Sequence, residues 1–418
     1  MSSSKIPAKK NKANEEQLEA LTLLSGTENI FLTGSAGTGK TFVIKEYLKQ
    51  KTKKPPVLAS TGAAAVLLGG RTFHSFFGLG IMEGGIDKTV AKAAANSRVS
   101  QRIEKTKEVI IDEISMIHPA AFEAADRIAK TIRKNDFPFG GLRLILTGDF
   151  FQLPPVDRFA NKTSWLFNHP LWNELEIQKI ILRRSMRTAN REFEAILDKI
   201  RYGICDEEVT SFLDSKRKPL TENFTGTVLF ARKNEVETYN QKRLDELKGK
   251  LHEFETSVVV SSRTQTPREK LIDLSPLPHT LQLKEGALVM IRRNDESESY
   301  VNGSLGIVKK IAAEEIDLEL MNGMRVTVEK EDFHVLDGDG KVSATITNFP
   351  LTLGWAATIH KSQGASIDSL HINLKNLWEY GQAYVAISRA KNPHELFISD
   401  WSKQSIKADS DVLEYYQD

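Results

Sequence analysis

An α/β protein with two parallel sheets, the second interrupted by an all-β module, is the fold class this sequence predicts. Three observations predict it. Short apolar runs alternate with helical patterns, as strands buried on both faces and their crossover helices do. A glycine-rich stretch, Gly34-Ser35-Ala36-Gly37-Thr38-Gly39-Lys40-Thr41, stands between one such run and one such helix. From about residue 250 to 343 the texture changes to short β-like runs, two of them flanking the hairpin signal Asn322-Gly323.

In chain order, Ile30 to Thr33 is the first strand, followed by a helix from Lys40 to about Lys51. Val57 to Ser60 leads into a helix starting at Gly62. Val109 to Asp112 leads into Pro119 to Lys134, and Leu142 to Thr147 is the next strand. The pattern resumes with a helix from Arg191 to Ile200, a strand from Val228 to Phe230 and a helix from Lys233 to Leu247. Ala287 to Ile291, Leu305 to Val308, Ile316 to Leu320 and Met324 to Val328 form the β module. Strands near Leu370 to Ile372 and Leu396 to Ile398 complete the second sheet.

A chain of 418 residues suggests two or three domains. No apolar run reaches the roughly 18 residues of a membrane helix, so no membrane partner is expected. Met1 to Asn14 is polar and Ser/Lys-rich; it reads as a disordered tail, not a secretory signal. Cys205 is the only cysteine, which excludes an internal disulfide and a cysteine-based zinc or iron–sulfur site. An intracellular compartment follows: cytoplasmic in a prokaryote or virus, nuclear or mitochondrial in a eukaryote. The net charge of +2 means that any attraction to nucleic acid is local.

The glycine-rich stretch fits G-x-x-x-x-G-K-[ST] at every fixed position. Its glycines let backbone N–H groups turn toward phosphate oxygens at a helix start. Lys40 is placed to reach the β- and γ-phosphates of ATP, and Thr41 to ligate Mg²⁺. Asp112 ends a buried strand and is the Mg²⁺-side carboxylate, while Glu113 is placed to activate water. Gln152 follows the strand ending at Gly148-Asp149 and is placed to sense the γ-phosphate; a Pro-stiffened loop is the alternative. Arg187 and Arg389 are candidates for stabilising transition-state charge from a second domain. Thr358, His360, Lys361, Ser362 and Gln363 suit hydrogen bonding to a phosphodiester backbone, as do Thr61 and Gly62 at a helix start. His74, Phe76 and Phe77 offer rings to stack on bases, or, for the phenylalanines, to pack in a core.

Together these residues resemble the petite-integration-frequency (Pif) and RecD-like DNA helicases of superfamily 1B, to which the phage Dda helicase is related. Gln17 looks like the adenine-recognising glutamine, and Gly34 to Thr41 is motif I. Ala59 to Ala65 looks like motif Ia, Gly70 to Phe76 like Ib, and Ile111 to Met116 is motif II. Pro138 to Gly141 with Gly148 to Pro155 looks like motif III, Thr358 to Gly364 is motif V, and Tyr384 to Ala390 is motif VI. Around Arg187 the sequence Leu182-Arg183-Arg184-Ser185-Met186-Arg187-Thr188 departs from the family pattern, so Arg183 and Arg184 compete with Arg187 as the phosphate sensor.

The resemblance implies two RecA-like domains of the P-loop NTPase type. The first, 14–182, carries a wedge insert at about 78–100. The second, 183–249 and 344–405, carries a Src-homology-3-like module at 250–343, and tails cover 1–13 and 406–418. It also implies a monomeric, ATP- and Mg²⁺-dependent motor moving 5′→3′ on single-stranded DNA, opening forked duplex in replication, repair or recombination. An ATP-switched binding protein without unwinding, and an RNA-directed helicase, remain open alternatives.

Overall fold

Every residue of Ile30–Gly34 (β1) is buried, which an apolar strand achieves with neighbours on both edges and helices on both faces. The computed structural model describes residues 13–417 apart from 68, 81, 83, 156–162, 189, 223, 262–265, 294, 296–298, 301, 338 and 340. The expected N-terminal tail, except residue 13, lies outside the described residues. The remaining strands of the first sheet are Val57–Ala59 (β2), Arg71–Thr72 (β3), Glu108–Asp112 (β4), Arg143–Gly148 (β5) and Gln178–Leu182 (β6). Their order is β3-β2-β4-β5-β1-β6, with every pairing parallel. The carboxyl ends of β1, β4 and β5 therefore share one edge, where open α/β sheets bind ligands.

Helix Pro119–Arg133 starts on a proline whose missing N–H is not needed in the first turn, and buries Phe122, Ile128 and four alanines. The expected insert at 78–100 contains helix Gly85–Ala94 and only the first turn of Ser97–Lys105, both packed on this long helix. Beside them Phe76 is 0% exposed. Its ring lies 4.9 Å from that of Phe77, and the guanidiniums of Arg71 and Arg102 cover it at 5.7 and 5.5 Å. Phe76 therefore does not stack on bases: it is a core residue, as Phe77 is. The short helix Phe73–Phe77 turns both rings inward and leaves His74 only partly covered.

The second parallel sheet centres on Thr227–Phe230 (β7), between Ala356–Thr358 and Leu370–Leu374, with Leu396–Trp401 beyond. The inserted module is mostly antiparallel β but not all-β, because the short helix Arg268–Asp273 lies within it; Asn322-Gly323 does connect the paired strands Glu315–Leu320 and Arg325–Glu329. Its boundary at 343 is too early. Val342–Asn348 pairs with Ser257–Val260 and Glu331–Leu336, and Leu351–Leu353 pairs with Leu288–Ile291. A short apolar run does not announce which sheet it joins, because its partners are remote in sequence.

The expected C-terminal tail is also corrected. Ser410–Gln417 is a helix that returns to the first domain. Val412 joins that domain's core, the Tyr415 ring stacks 4.5 Å from Phe167, and the Tyr416 ring lies 4.8 Å from Phe151. The chain thus crosses between its domains a second time after closing the second sheet.

Since Phe76 is a core ring, Phe76→Ala is expected to cost about 3–5 kcal/mol of stability. Urea unfolding checks this, and affinity of the folded fraction for single-stranded DNA should be unchanged. Lost affinity at unchanged stability would restore the stacking role.

Candidate active site at the domain seam

β1 ends at Gly34, and the chain then turns through Gly37 and Gly39, whose φ values are +88° and +90°. Side chains rarely adopt these values, and a Cβ on Gly39 would lie 2.5 Å from Nε2 of Gln17. Gln17 is buried and braces this turn. Its Nε2 donates to the Thr38 carbonyl at 3.1 Å, while its Oε1 accepts from the Asn14 N–H at 3.1 Å in a capping box. The Lys40 ammonium folds back on its own loop, donating to the carbonyls of Gly34 (2.7 Å) and Ser35 (3.2 Å). Burial pulls its pKa down, opposed by Asp149, Glu113 and Asp112. Thr41 is exposed at the start of helix Lys40–Gln50. Across the seam, the Tyr384 hydroxyl accepts the Ala36 N–H at 2.7 Å.

β4 delivers Asp112 and Glu113 to the same edge. Glu113 holds φ +52° and ψ +50°, a left-handed conformation that costs a non-glycine residue roughly 1–2 kcal/mol. Burial and the adjacent Asp112 carboxylate push Glu113 up to about 7, and burial raises Asp112. Two carboxylates disfavouring each other's ionisation are a natural setting for a cation. Gln152, on the turn after β5, is buried; its Nε2 donates to Asp149 at 3.3 Å.

Gln363 was grouped with the strand-contacting residues, yet it points into the cleft. Its Nε2 donates to Glu113 at 3.1 Å and to Oε1 of Gln152 at 3.2 Å. Ser362 is 0% exposed and donates to the Ile359 carbonyl at 2.8 Å, so it is a structural hydroxyl and not a strand contact. The nearly buried Thr358 hydroxyl accepts the Lys361 N–H at 3.1 Å. Lys361 itself is exposed; partial desolvation of its ammonium and the nearby Lys233 and Arg292 pull its pKa down. His360 faces Glu379 at 3.3 Å. Thr61 is exposed and caps its helix, its hydroxyl accepting from the Ala64 N–H. Gly62 lies beneath Leu274 of the β module: a Cβ there would lie 2.5 Å from the leucine side chain.

The second domain brings three arginines to the seam, and they differ. Arg187 packs on Gly37 and donates to Ser366 Oγ (3.0 Å) and the Ser388 carbonyl (2.6 Å). Arg389 is 1% exposed and donates to the Val385 carbonyl and Ser388 Oγ, both at 2.9 Å. Among the described residues neither has an ion-pair partner, and burial pulls Arg187 down to about 10 and Arg389, beside Arg187, to about 9. Arg183 and Arg184 are exposed and anchored only through backbone N–H groups donating to Glu16. The third arginine, Arg201, pairs with Asp149 at 2.8 Å. Tyr384 opens the motif VI stretch but its hydroxyl's reach to Ala36 is not readable there, and Arg201 and Tyr416 carry no local signal, one an arginine inside an amphipathic helix and the other a tyrosine near the chain end.

A carboxyl group raised from its ordinary 4.5 to about 7 binds its proton more tightly in the folded chain than in the unfolded one. The stability Glu113 contributes is therefore lost as pH rises through that window. The urea midpoint should fall from pH 4.5 to 7 relative to that of Glu113→Gln. A pH-independent difference would contradict the placement of Glu113.

Comparison with known proteins agrees with this geometry. Residues 8–211 match the family model described as PIF1-like helicase. The chain is 42% identical over 99% of its length to the ATP-dependent DNA helicase Pif1 of Bdellovibrio bacteriovorus, covering 93% of that protein. It is 34% identical over 98% of its length to ATP-dependent DNA helicase PIF1 of Xenopus laevis, of which it spans 65%. Pif1 from Bacteroides sp in complex with ADP-AlF4 superposes with a TM-score of 0.83 at 27% identity, covering 97% of this chain and 96% of that one. The Bacteroides Pif1 bound to ssDNA superposes with a TM-score of 0.64 at 28% identity, covering 96% of each chain. On sequence, fold and site together, the chain belongs to the PIF1-like helicase family.

Proposed function

We propose that this chain is an ATP-dependent DNA helicase that moves 5′→3′ on single-stranded DNA and opens forked duplex. The observation that carries the reading is the pair of guanidiniums, Arg187 and Arg389, held on the second domain without an ion-pair partner among the described residues, Arg187 packed on Gly37 of the phosphate loop and Arg389 beside Arg187 and facing Glu113. A buried cation lacking a counter-ion is costly, and a triphosphate at the loop supplies the missing charge. ATP-dependent DNA helicase is also what the relatives are named.

Binding requires three local exchanges. Lys40 leaves the Gly34 and Ser35 carbonyls for phosphate oxygens. The Ala36 N–H gives up the Tyr384 hydroxyl, and the two arginines turn from carbonyl and hydroxyl groups toward the γ-phosphate. Thr41 and Asp112 would hold Mg²⁺, whose charge fits the Asp112–Glu113 pair and would help neutralise the phosphates. Glu113 takes the proton of the attacking water, and Gln363 orients its carboxylate while linking it to Gln152. Release of the γ-phosphate removes the ligand common to Gln152, Arg187 and Arg389, so the seam loosens.

Strand movement follows if the domains grip different stretches of backbone. Thr61 and His74 serve the first domain, and His360 and Lys361 the second. Lys361 stands beside Lys233 and Arg292, with Asp273 and Glu237 also near, and its exposed ammonium is a donor available to a phosphodiester. A cavity of about 360 Å³ between helix Gly62–Leu67 and the β module, lined by Arg71, Thr72 and Ser75, offers a path near the first grip. The insert at 78–100 is the proposed wedge, and one monomer carries all of these parts.

Strand displacement on substrates with a 5′ or a 3′ tail tests activity and polarity together: the 5′ tail should support unwinding and the 3′ tail should not. Lys40→Ala is expected to abolish unwinding and lower ATP turnover by roughly 100-fold or more while single-stranded DNA still binds. Unwinding that survives this substitution would contradict an ATP-driven motor, whereas a duplex left intact by the wild type with either tail would leave an ATP-switched binding protein. Unwinding only of substrates whose tracking strand is RNA would shift the assignment to RNA.

A further inference from the structure

Asp149 and Arg201 form an ion pair across the seam that the phosphate chemistry above does not use. Asp149, at the end of β5 in the first domain, is 0% exposed. Arg201 ends helix Arg191–Arg201 of the second domain, and its Nη2 and Nε donate to Asp149 at 2.8 and 3.3 Å. The guanidinium lies over the rings of Phe151 at 4.4 Å, and of Tyr202 and Tyr416 at 5.4 Å each. Tyr416 comes from the C-terminal helix, and its hydroxyl sits 2.6 Å from Thr33 Oγ1, one residue before the phosphate loop. Unlike Arg187 and Arg389, Arg201 is neutralised and covered by rings from both domains. It cannot withdraw without leaving a bare, buried carboxylate.

Asp149 does a second thing. An ionised carboxylate only accepts hydrogen bonds, so it fixes the amide orientation of Gln152: the NH₂ faces Asp149 and the Oε1 faces Gln363. Gln363 in turn donates to Glu113. The result is a continuous chain, Arg201–Asp149–Gln152–Gln363–Glu113, whose first and fourth members belong to the second domain and whose others belong to the first.

We infer that Arg201 is a positioning residue for ATP hydrolysis. It pins the second domain to Asp149 as a fixed pivot and, through Asp149, presents Gln152 to Gln363 and the general base. The seam then closes by rotation about this point, while Arg187 and Arg389 swing onto the nucleotide. The inference rests on the ATP-hydrolysing reading above.

The test is steady-state ATP turnover at saturating single-stranded DNA for Arg201→Lys, alone and in a Gln152→Ala background. Lysine keeps the charge but loses the planar fork and its stacking. Alone it should lower kcat about tenfold with KM for ATP within about twofold, since ground-state nucleotide contacts are untouched. In the Gln152→Ala background it should have no further effect on kcat, because both changes break the same link. Tyr416→Leu, which removes one covering ring, should act in the same direction by about threefold and also be silent in that background. This variant carries the test if Arg201→Lys does not fold. Wild-type kcat in the single variants, or equal factors in both backgrounds as general loosening of the fold would give, overturns the inference while leaving the ATPase reading intact. A wild type that hydrolyses no ATP overturns the ATPase reading first.

Discussion

Two guanidiniums are held at the domain seam without carboxylates, and much of the cleft is arranged around that cost. Arg187 and Arg389 spend their donors on carbonyls and hydroxyls of their own domain, which hold them in place but do not cancel their charge. Facing them are a phosphate loop whose lysine is folded onto its own carbonyls and two carboxylates raised by burial, Glu113 also by the neighbouring Asp112 charge. Arg389 feels the Glu113 carboxylate across the cleft, but among the described residues Arg187 and Arg389 form no ion pair with the first domain. A nucleoside triphosphate with its cation matches both halves at once, so ligand binding and domain closure become one event.

Arg201 shows the contrasting solution. Its charge is cancelled by Asp149 and its faces are covered by rings, so it serves as a fixture while the other arginines wait for a ligand. The C-terminal helix makes this possible by returning to the first domain and placing Tyr416 over the pair. A chain end that looks dispensable in sequence therefore bears on the strand that leads into the phosphate loop.

Much of the architecture was legible in the sequence, for a physical reason. Strands such as Ile30–Gly34 and Arg143–Gly148 are buried on both faces, so their apolar runs are continuous, and Asn322-Gly323 admits few conformations other than a hairpin turn. The placement of Lys40, Asp112 and Glu113 at one sheet edge was legible because the loop and strand ends that position them are local. Residues whose role depends on remote neighbours were not. Phe76 was offered to bases and Ser362 to phosphates, since a motif does not state which way a side chain turns; both are fully buried. Gln363 belongs with Glu113, 250 residues away, and Leu351–Leu353 with a strand of the β module. The Asp149–Arg201 pair, 52 residues apart and across domains, gives no signal at either end.

The central claim is that Arg187 and Arg389 await the γ-phosphate specifically. Equilibrium binding of ADP and of a non-hydrolysable ATP analogue to the double variant Arg187→Ala/Arg389→Ala tests it most directly. Affinity for the analogue should fall by about 100-fold or more, the scale of two lost charge-assisted contacts, while affinity for ADP stays within about twofold. If both affinities fall alike, or neither does, the arginines are not the γ-phosphate's partners and this account of the cleft is wrong.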